Sequence, residues 1–171
     1  MTERTSLLAQ LKRRNIIRMC GKAPDSAKRK SARLMRILVD QLKQRGVFRA
    51  HEFGCLELEQ GRTEQALAHF HKAGAAFSEA GVAMAEYTLG HERESQAALG
   101  ELESKYAVGF SYQIAQAHAW RGERDAAFEW FERAYAQRDA GVTRMRGDPM
   151  LAPLRDDPRY AALVRKLNIP D

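Results

Sequence analysis

The chain predicts an all-α fold: a short array of stacked helical hairpins, an α-solenoid, with basic helices ahead of it and a capping helix at its end. Two observations carry that expectation. Three stretches share one skeleton, a glycine followed at five, nine and twelve positions by small or apolar residues. They are Gly61, Ala66, Phe70, Ala73; Gly90, Ser95, Leu99, Leu102; and Gly122, Ala127, Phe131, Ala134. After the small residue, offsets of four and seven return to one helix face. The second observation is that no alternating strand pattern appears in the 171 residues.

The charge divides the chain in two. Residues 1–46 hold 13 Lys/Arg and 3 Asp/Glu, a net of +10. Residues 47–171 hold 15 and 19, a net of −4. The sequence pI near 9.5 therefore describes a basic arm joined to an acidic module.

In the arm, 5–19 reads as a short amphipathic helix with Leu7, Leu8, Leu11 and Ile16 on its apolar side. Lys12, Arg13, Arg14 and Arg18 supply its charge. Gly21, Pro24 and Asp25 break the pattern. A second helix over roughly 26–45 follows, its polar side carrying Arg29, Lys30, Arg33, Arg36, Lys43 and Arg45, with Lys28 part of the same electrostatic arm. Gly46 ends it.

The hairpins are expected at about 48–79, 80–105 and 110–137, with helices over 48–60 and 63–79, 80–89 and 92–105, and 110–121 and 124–137. They turn at Gly61, Gly90 and Gly122, where a left-handed residue is needed and only glycine escapes a Cβ clash. The glycines are spaced by 29 and 32 residues. A regular array of this kind repeats at about 34, so the middle hairpin is expected to be shortened or irregular. Ser95 fits its position by size, but its hydroxyl needs a backbone acceptor. The cap is expected over 148–168: Asp148–Pro149 and Asp157–Pro158 each set an N-cap residue before a proline suited to a first turn. An array needs such a cap because its last hairpin otherwise exposes an apolar face.

Residues 108–168 resemble the C-terminal tail of a group of bacterial tetratricopeptide-repeat proteins. The likeness rests on Tyr112-Gln113-Ile114-Ala115, Ala119-Trp120-Arg121-Gly122-Glu123 and the run from Ala127 to Tyr135. It continues in Asp148-Pro149, Leu154-Arg155 and Asp157-Pro158-Arg159-Tyr160. Leu89-Gly90 with Glu94-Ser95 and Ala97-Ala98-Leu99 fits the preceding repeat. Leu11 to Arg18 is similar to the cytoplasmic leader of the same group, which includes membrane-anchored regulators and adenylate-cyclase-like proteins. There the leader runs into a transmembrane helix, and this sequence has no such span. Two readings stay open: an internally shortened relative, or a chance match over eight residues.

The resemblance implies a protein-interaction module rather than an enzyme. In such arrays the first helix of each hairpin lines a concave groove that takes a partner's peptide or helix, or the chain's own arm. That rule places His51, Cys55 and Glu59 in the first hairpin's lining, Met84, Tyr87 and Thr88 in the second's, and Tyr112, Gln116, Ala119 and Trp120 in the third's. Aromatic and amide groups suit peptide recognition, and the competing role for the aromatics is packing between hairpins.

Metal binding is not expected. His69 and His71 diverge on a helix, and His51 with Cys55 makes only two ligands. No phosphate loop, nucleophile elbow or cofactor motif occurs, so no cofactor is expected. Cys20 and Cys55 read as free thiols in a reducing compartment, and residence in the cytoplasm is the expectation. The arm has three readings in order: a cap on the first hairpin, a contact to anionic membrane surface, and a contact to nucleic acid.

Overall fold

The computed structural model describes residue 46, residues 49–74 and residues 76–167. Chain contacts divide the protein into two units, and the described residues belong to the second, Gly46–Asp171. The helices expected over 5–19 and 26–45 lie outside the described residues. Among the described residues the structure is helical, with no strand. Helix α1 spans 49–59, α2 Thr63–Phe70, α3 Ala76–Thr88, α4 Glu92–Tyr106, α5 Ser111–Trp120 and α6 Arg124–Gln137. Two 3₁₀ segments follow, Ala140–Gly147 and Pro149–Leu154, and then α7, Pro158–Lys166.

Three turns in this chain are built alike. Gly61, Gly90 and Gly122 take φ of +74°, +80° and +78°. The residue after each glycine has φ of −91°, −88° and −83°, with ψ of 62°, 67° and 67°. Its N–H reaches back to the third-last helical carbonyl: Arg62 to Glu57, His91 to Glu86 and Glu123 to His118, each at 2.9 Å. This is the Schellman closure, which satisfies carbonyls that a helix end leaves open. The same residue pairs also meet through their side chains, Arg62 on Glu57, His91 on Glu86 at 2.7 Å and His118 on Glu123 at 2.6 Å. A polar pair thus stands where an apolar contact often closes this motif.

A fourth turn, after α6, has the same bonds without the glycine. Asp139 N–H donates to Ala134 O at 2.9 Å, and Arg138 itself takes φ 56°, ψ 40°. A side chain in that region carries a Cβ clash that glycine lacks.

The skeleton residues Ala66, Phe70, Ala73, Ser95, Leu99, Leu102, Ala127, Phe131 and Ala134 are all buried. Ser95 finds its acceptor, donating to Ala83 O across the α3–α4 contact at 2.6 Å. Helix α3 packs on α2, α4 and α5, and α5 packs on α6 and the second 3₁₀ segment. Helix α5 is buried from Ser111 to Ala119 and stands between two core clusters. Ile114 joins the one with Phe70, Met84 and Leu99, and Tyr112 the one with Phe131, Met145 and Leu154.

Two expected boundaries move. The helix expected over 63–79 ends at Phe70, and the next starts at Ala76 rather than 80. The reason is the Phe70 ring, which lies against backbone on two sides. A Cβ at Gly54 would stand 2.4 Å from it, and one at Gly81 only 2.0 Å. The chain turns through 71–74 to bring Gly81 onto the ring. The shortened element is therefore α2, with 8 residues, and not the pair α3 and α4, with 13 and 15.

At the C-terminal end both aspartates cap as expected. Asp148 accepts from Met150 N–H and Asp157 from Arg159 N–H. The Arg159 side chain holds the Asp157 carboxyl down to about 2. Pro149, however, opens a 3₁₀ segment, so the regular cap helix is confined to Pro158–Lys166.

Candidate functional site

Residues 139–150 are pinned along α5. The Asp139 carboxylate accepts from Tyr112 N–H at 3.0 Å and from Gly141 N–H at 2.9 Å. Gly141 packs against the base of the Tyr112 side chain, where a Cβ would stand 2.5 Å from Cγ. Asp148 is buried and accepts from Tyr112 Oη at 2.7 Å, Gln116 Nε2 at 2.7 Å and Met150 N–H at 3.0 Å. Tyr160 Oη donates to Met145 O at 2.7 Å. Burial, followed by the Asp148 charge, pushes the Tyr112 phenol well above its usual range, so it stays a donor.

This segment changes the fate of the expected groove residues. Tyr112 and Gln116 are each 1% exposed and hold Asp148 instead of facing outward. Met84 is sealed in the core cluster that contains Met150, and His51 is buried as well. Tyr112, Met84 and His51 are covered by residues 139–150 and the core, and Gln116 reaches only the floor of the cavity described next. Trp120 is half-buried, donating to Thr88 Oγ1 at 2.9 Å. Tyr87 remains exposed, with the Arg121 guanidinium 5.3 Å from its ring centre. Lys12, Arg13, Arg14, Arg18, Lys28, Arg29, Lys30 and Arg33 lie outside the described residues.

A cavity of about 900 Å³ lies between α1 and the 143–149 stretch. Helix α1 contributes Arg49, Glu52, Phe53, Cys55, Leu56 and Glu59; the other wall includes Thr143, Arg144, Arg146 and Asp148, with Gln116 between. Cys55 and Glu59 thus line this cavity. Phe53 and Leu56 are large apolar side chains left 54% and 46% exposed. They stand on α1 beside the buried His51, Gly54, Cys55 and Leu58, and the sequence carries no signal that sets them apart. The two walls meet through Arg144 Nη2 and Glu52 Oε1 at 2.8 Å.

His51 and Cys55 face together as their spacing requires. His51 Nδ1 lies 3.0 Å from Phe77 O and therefore carries the proton, leaving Nε2 as the acceptor 3.6 Å from Cys55 Sγ. Burial lowers the imidazole to about 4. Burial, then the Asp148 and Glu52 charges, pushes the thiol well above its usual range. Both groups are neutral at pH 7, so the pair is a packed hydrogen bond and not an activated nucleophile. Cys55 is a free thiol.

His118, which has no ligand-spaced neighbour in sequence, bridges Glu103 on α4 at 2.8 Å and Glu123 in the turn at 2.6 Å. Burial raises Glu123, but hydrogen bonds from Arg121 and His118 outweigh it and hold the carboxyl below its usual range. Arg121 also reaches Gln96 at 2.9 Å, which ties this turn to α4. Among the described residues no group of three or more His, Cys, Asp or Glu is placed to hold a metal, and no helix is long and apolar enough to cross a membrane. Comparison of the chain with protein-family models, curated proteins and solved structures gives no match.

Proposed function

We propose that this protein is a non-enzymatic interaction module, a tetratricopeptide-like array of helical hairpins, that binds a segment of a protein partner in the cavity between α1 and residues 143–149. The array reading is supported by the three matching glycine turns and by the burial of every skeleton residue. The observation that carries the binding reading is the exposure of Phe53 and Leu56 on the wall of a cavity of about 900 Å³. A soluble surface rarely spends two large apolar side chains beside one concavity without a use for them. Because 139–150 covers the Tyr112 face of α5, the contact shifts from the expected aromatics to α1.

A second reading rests on the charge division, +10 over residues 1–46 against −4 beyond. In it the protein is a cytoplasmic peripheral adaptor whose arm engages an anionic membrane surface or nucleic acid.

Affinity capture with the full chain and with Phe53→Ala/Leu56→Ala separates them. Both side chains are exposed, so the variant keeps its helicity. The cavity reading expects a protein partner that survives 0.5 M salt and is lost from the variant. Capture that is indifferent to the variant but abolished by salt would support the adaptor instead.

A further inference from the structure

We propose that the cleft formed by Arg146, Arg155 and Arg165 is an anion site that takes the dianionic phosphate of a phosphate monoester. It is a second site and does not rest on the partner cavity of α1, although Arg146 lines both.

The cleft encloses about 480 Å³ between the end of the first 3₁₀ segment, the turn after the second and one side of α7. Tyr160, Ala161 and Val164 line it beside Arg165, at offsets that share a helix face. Its charge sets it apart. The α1 cavity sets Arg49, Arg144 and Arg146 against Glu52, Glu59 and Asp148. The cavity between α6 and α7 sets Arg133, Arg159 and Lys166 against Asp125, Glu129 and Glu132. Both balance. The third is lined by three guanidinium groups and no carboxylate, within residues 47–171 whose net charge is −4.

The surrounding backbone is fixed. Tyr160 Oη donates to the carbonyl of Met145, the neighbour of Arg146, at 2.7 Å. Arg155 Nη2 donates to Asp148 O at 3.3 Å, and Tyr112 and Gln116 hold the Asp148 side chain. Burial raises the Tyr160 phenol, and the Arg155 and Arg146 charges oppose that rise, so both act at one hydroxyl. Among the described residues no carboxylate pairs with Arg155 or Arg165. Arg146 has another interaction of its own and contributes charge. Like charges gathered in one place repel, and a shared anion offsets that cost. A guanidinium fork matches the oxygens of a phosphate. A carboxylate or a phosphodiester brings one negative charge, whereas a phosphate monoester brings close to two, with three acceptor oxygens. Ala161 and Val164 offer an apolar wall to the organic group it carries.

The test is two-dimensional NMR of the full chain during titration with phenyl phosphate. It follows the amides of Ala161 and Val164 and the Nε–H groups of Arg155 and Arg165, with sodium chloride at matched ionic strength as the reference. Saturable shifts centred on these groups are expected, with a dissociation constant on the order of 1 mM. Arg165→Gln, at an exposed position, should weaken binding about three- to tenfold. Arg133→Gln, in the balanced cavity, should leave it unchanged. Benzenesulfonate, a similar ring with one charge, should bind more weakly than phenyl phosphate. A phosphoserine peptide titrated alongside identifies the source: tighter binding than phenyl phosphate assigns the phosphate to a modified side chain, and any other ranking assigns it to a small molecule. Shifts that sodium chloride reproduces, or that have no centre on these groups, would overturn the proposal. So would an Arg165→Gln variant that binds as the parent does, equal losses from Arg165→Gln and Arg133→Gln, or benzenesulfonate binding as tightly as phenyl phosphate.

Discussion

Gly81 lies so close beneath Phe70 that a methyl group on its Cα would stand 2.0 Å from the ring's Cδ1. The contact joins α2 to α3, and Gly54 of α1 lies against the same ring, with a Cβ there 2.4 Å from Cε1. One aromatic side chain therefore sets the spacing of three helices. Gly81→Ala should for this reason reverse the usual sign. Mid-helix glycine to alanine ordinarily gains up to about 1 kcal/mol. Here overpacking should cost about 1–3 kcal/mol. Urea denaturation of Gly81→Ala, and of Gly81→Ala with Phe70→Leu, checks it: the second substitution should recover part of the loss.

Arg138 supplies the converse case. It holds the left-handed position that glycine holds in the other three turns. Arg138→Gly should raise stability by about 0.5–1 kcal/mol, and Gly122→Ala should lower it by a similar amount. Denaturation midpoints at constant slope give both values.

His51 gives the acid limb its sign. Its pKa is about 4 in the folded protein and 6.5 when unfolded. Between those values the unfolded chain binds the extra proton, so stability is lost as pH falls from 6.5 to about 4. The loss should approach roughly 3 kcal/mol and then level. Asp157, depressed from 3.8 to about 2, acts only below that window. In His51→Gln the slope between pH 6.5 and 4 should flatten, which urea titrations at three pH values would show.

Tyr112→Phe should destabilise without altering partner capture. It removes one donor from a buried carboxylate that keeps Gln116 and the Met150 N–H. The expected cost is about 1–3 kcal/mol. A loss of capture at retained helicity would instead return Tyr112 to the binding surface.

What could be read from the sequence was local. A left-handed glycine after an amphipathic run, and an aspartate before a proline, declare themselves within a few residues, and Gly61, Gly90, Gly122, Asp148 and Asp157 all behave accordingly. The end of α2 did not, because its cause is a ring packing on a glycine eleven residues away. The cover over α5 was hidden for the same reason: Asp148 binds Tyr112 across 36 positions of sequence. The cavity joins α1 to Arg144 over a still longer separation, so the sequence does not mark Phe53 and Leu56 as its lining. Nothing in a helical period tells which exposed apolar pair will border a concavity.

The most direct test of the partner site is site-specific photo-crosslinking in the full chain. A photoreactive amino acid replaces Leu56 in one version and Tyr135, exposed on the outer face of α6, in another. The account predicts a discrete crosslinked protein from position 56 and none from position 135. A partner crosslinked from position 135 alone, or no crosslinked protein from position 56 while capture by the same chain persists, would contradict it.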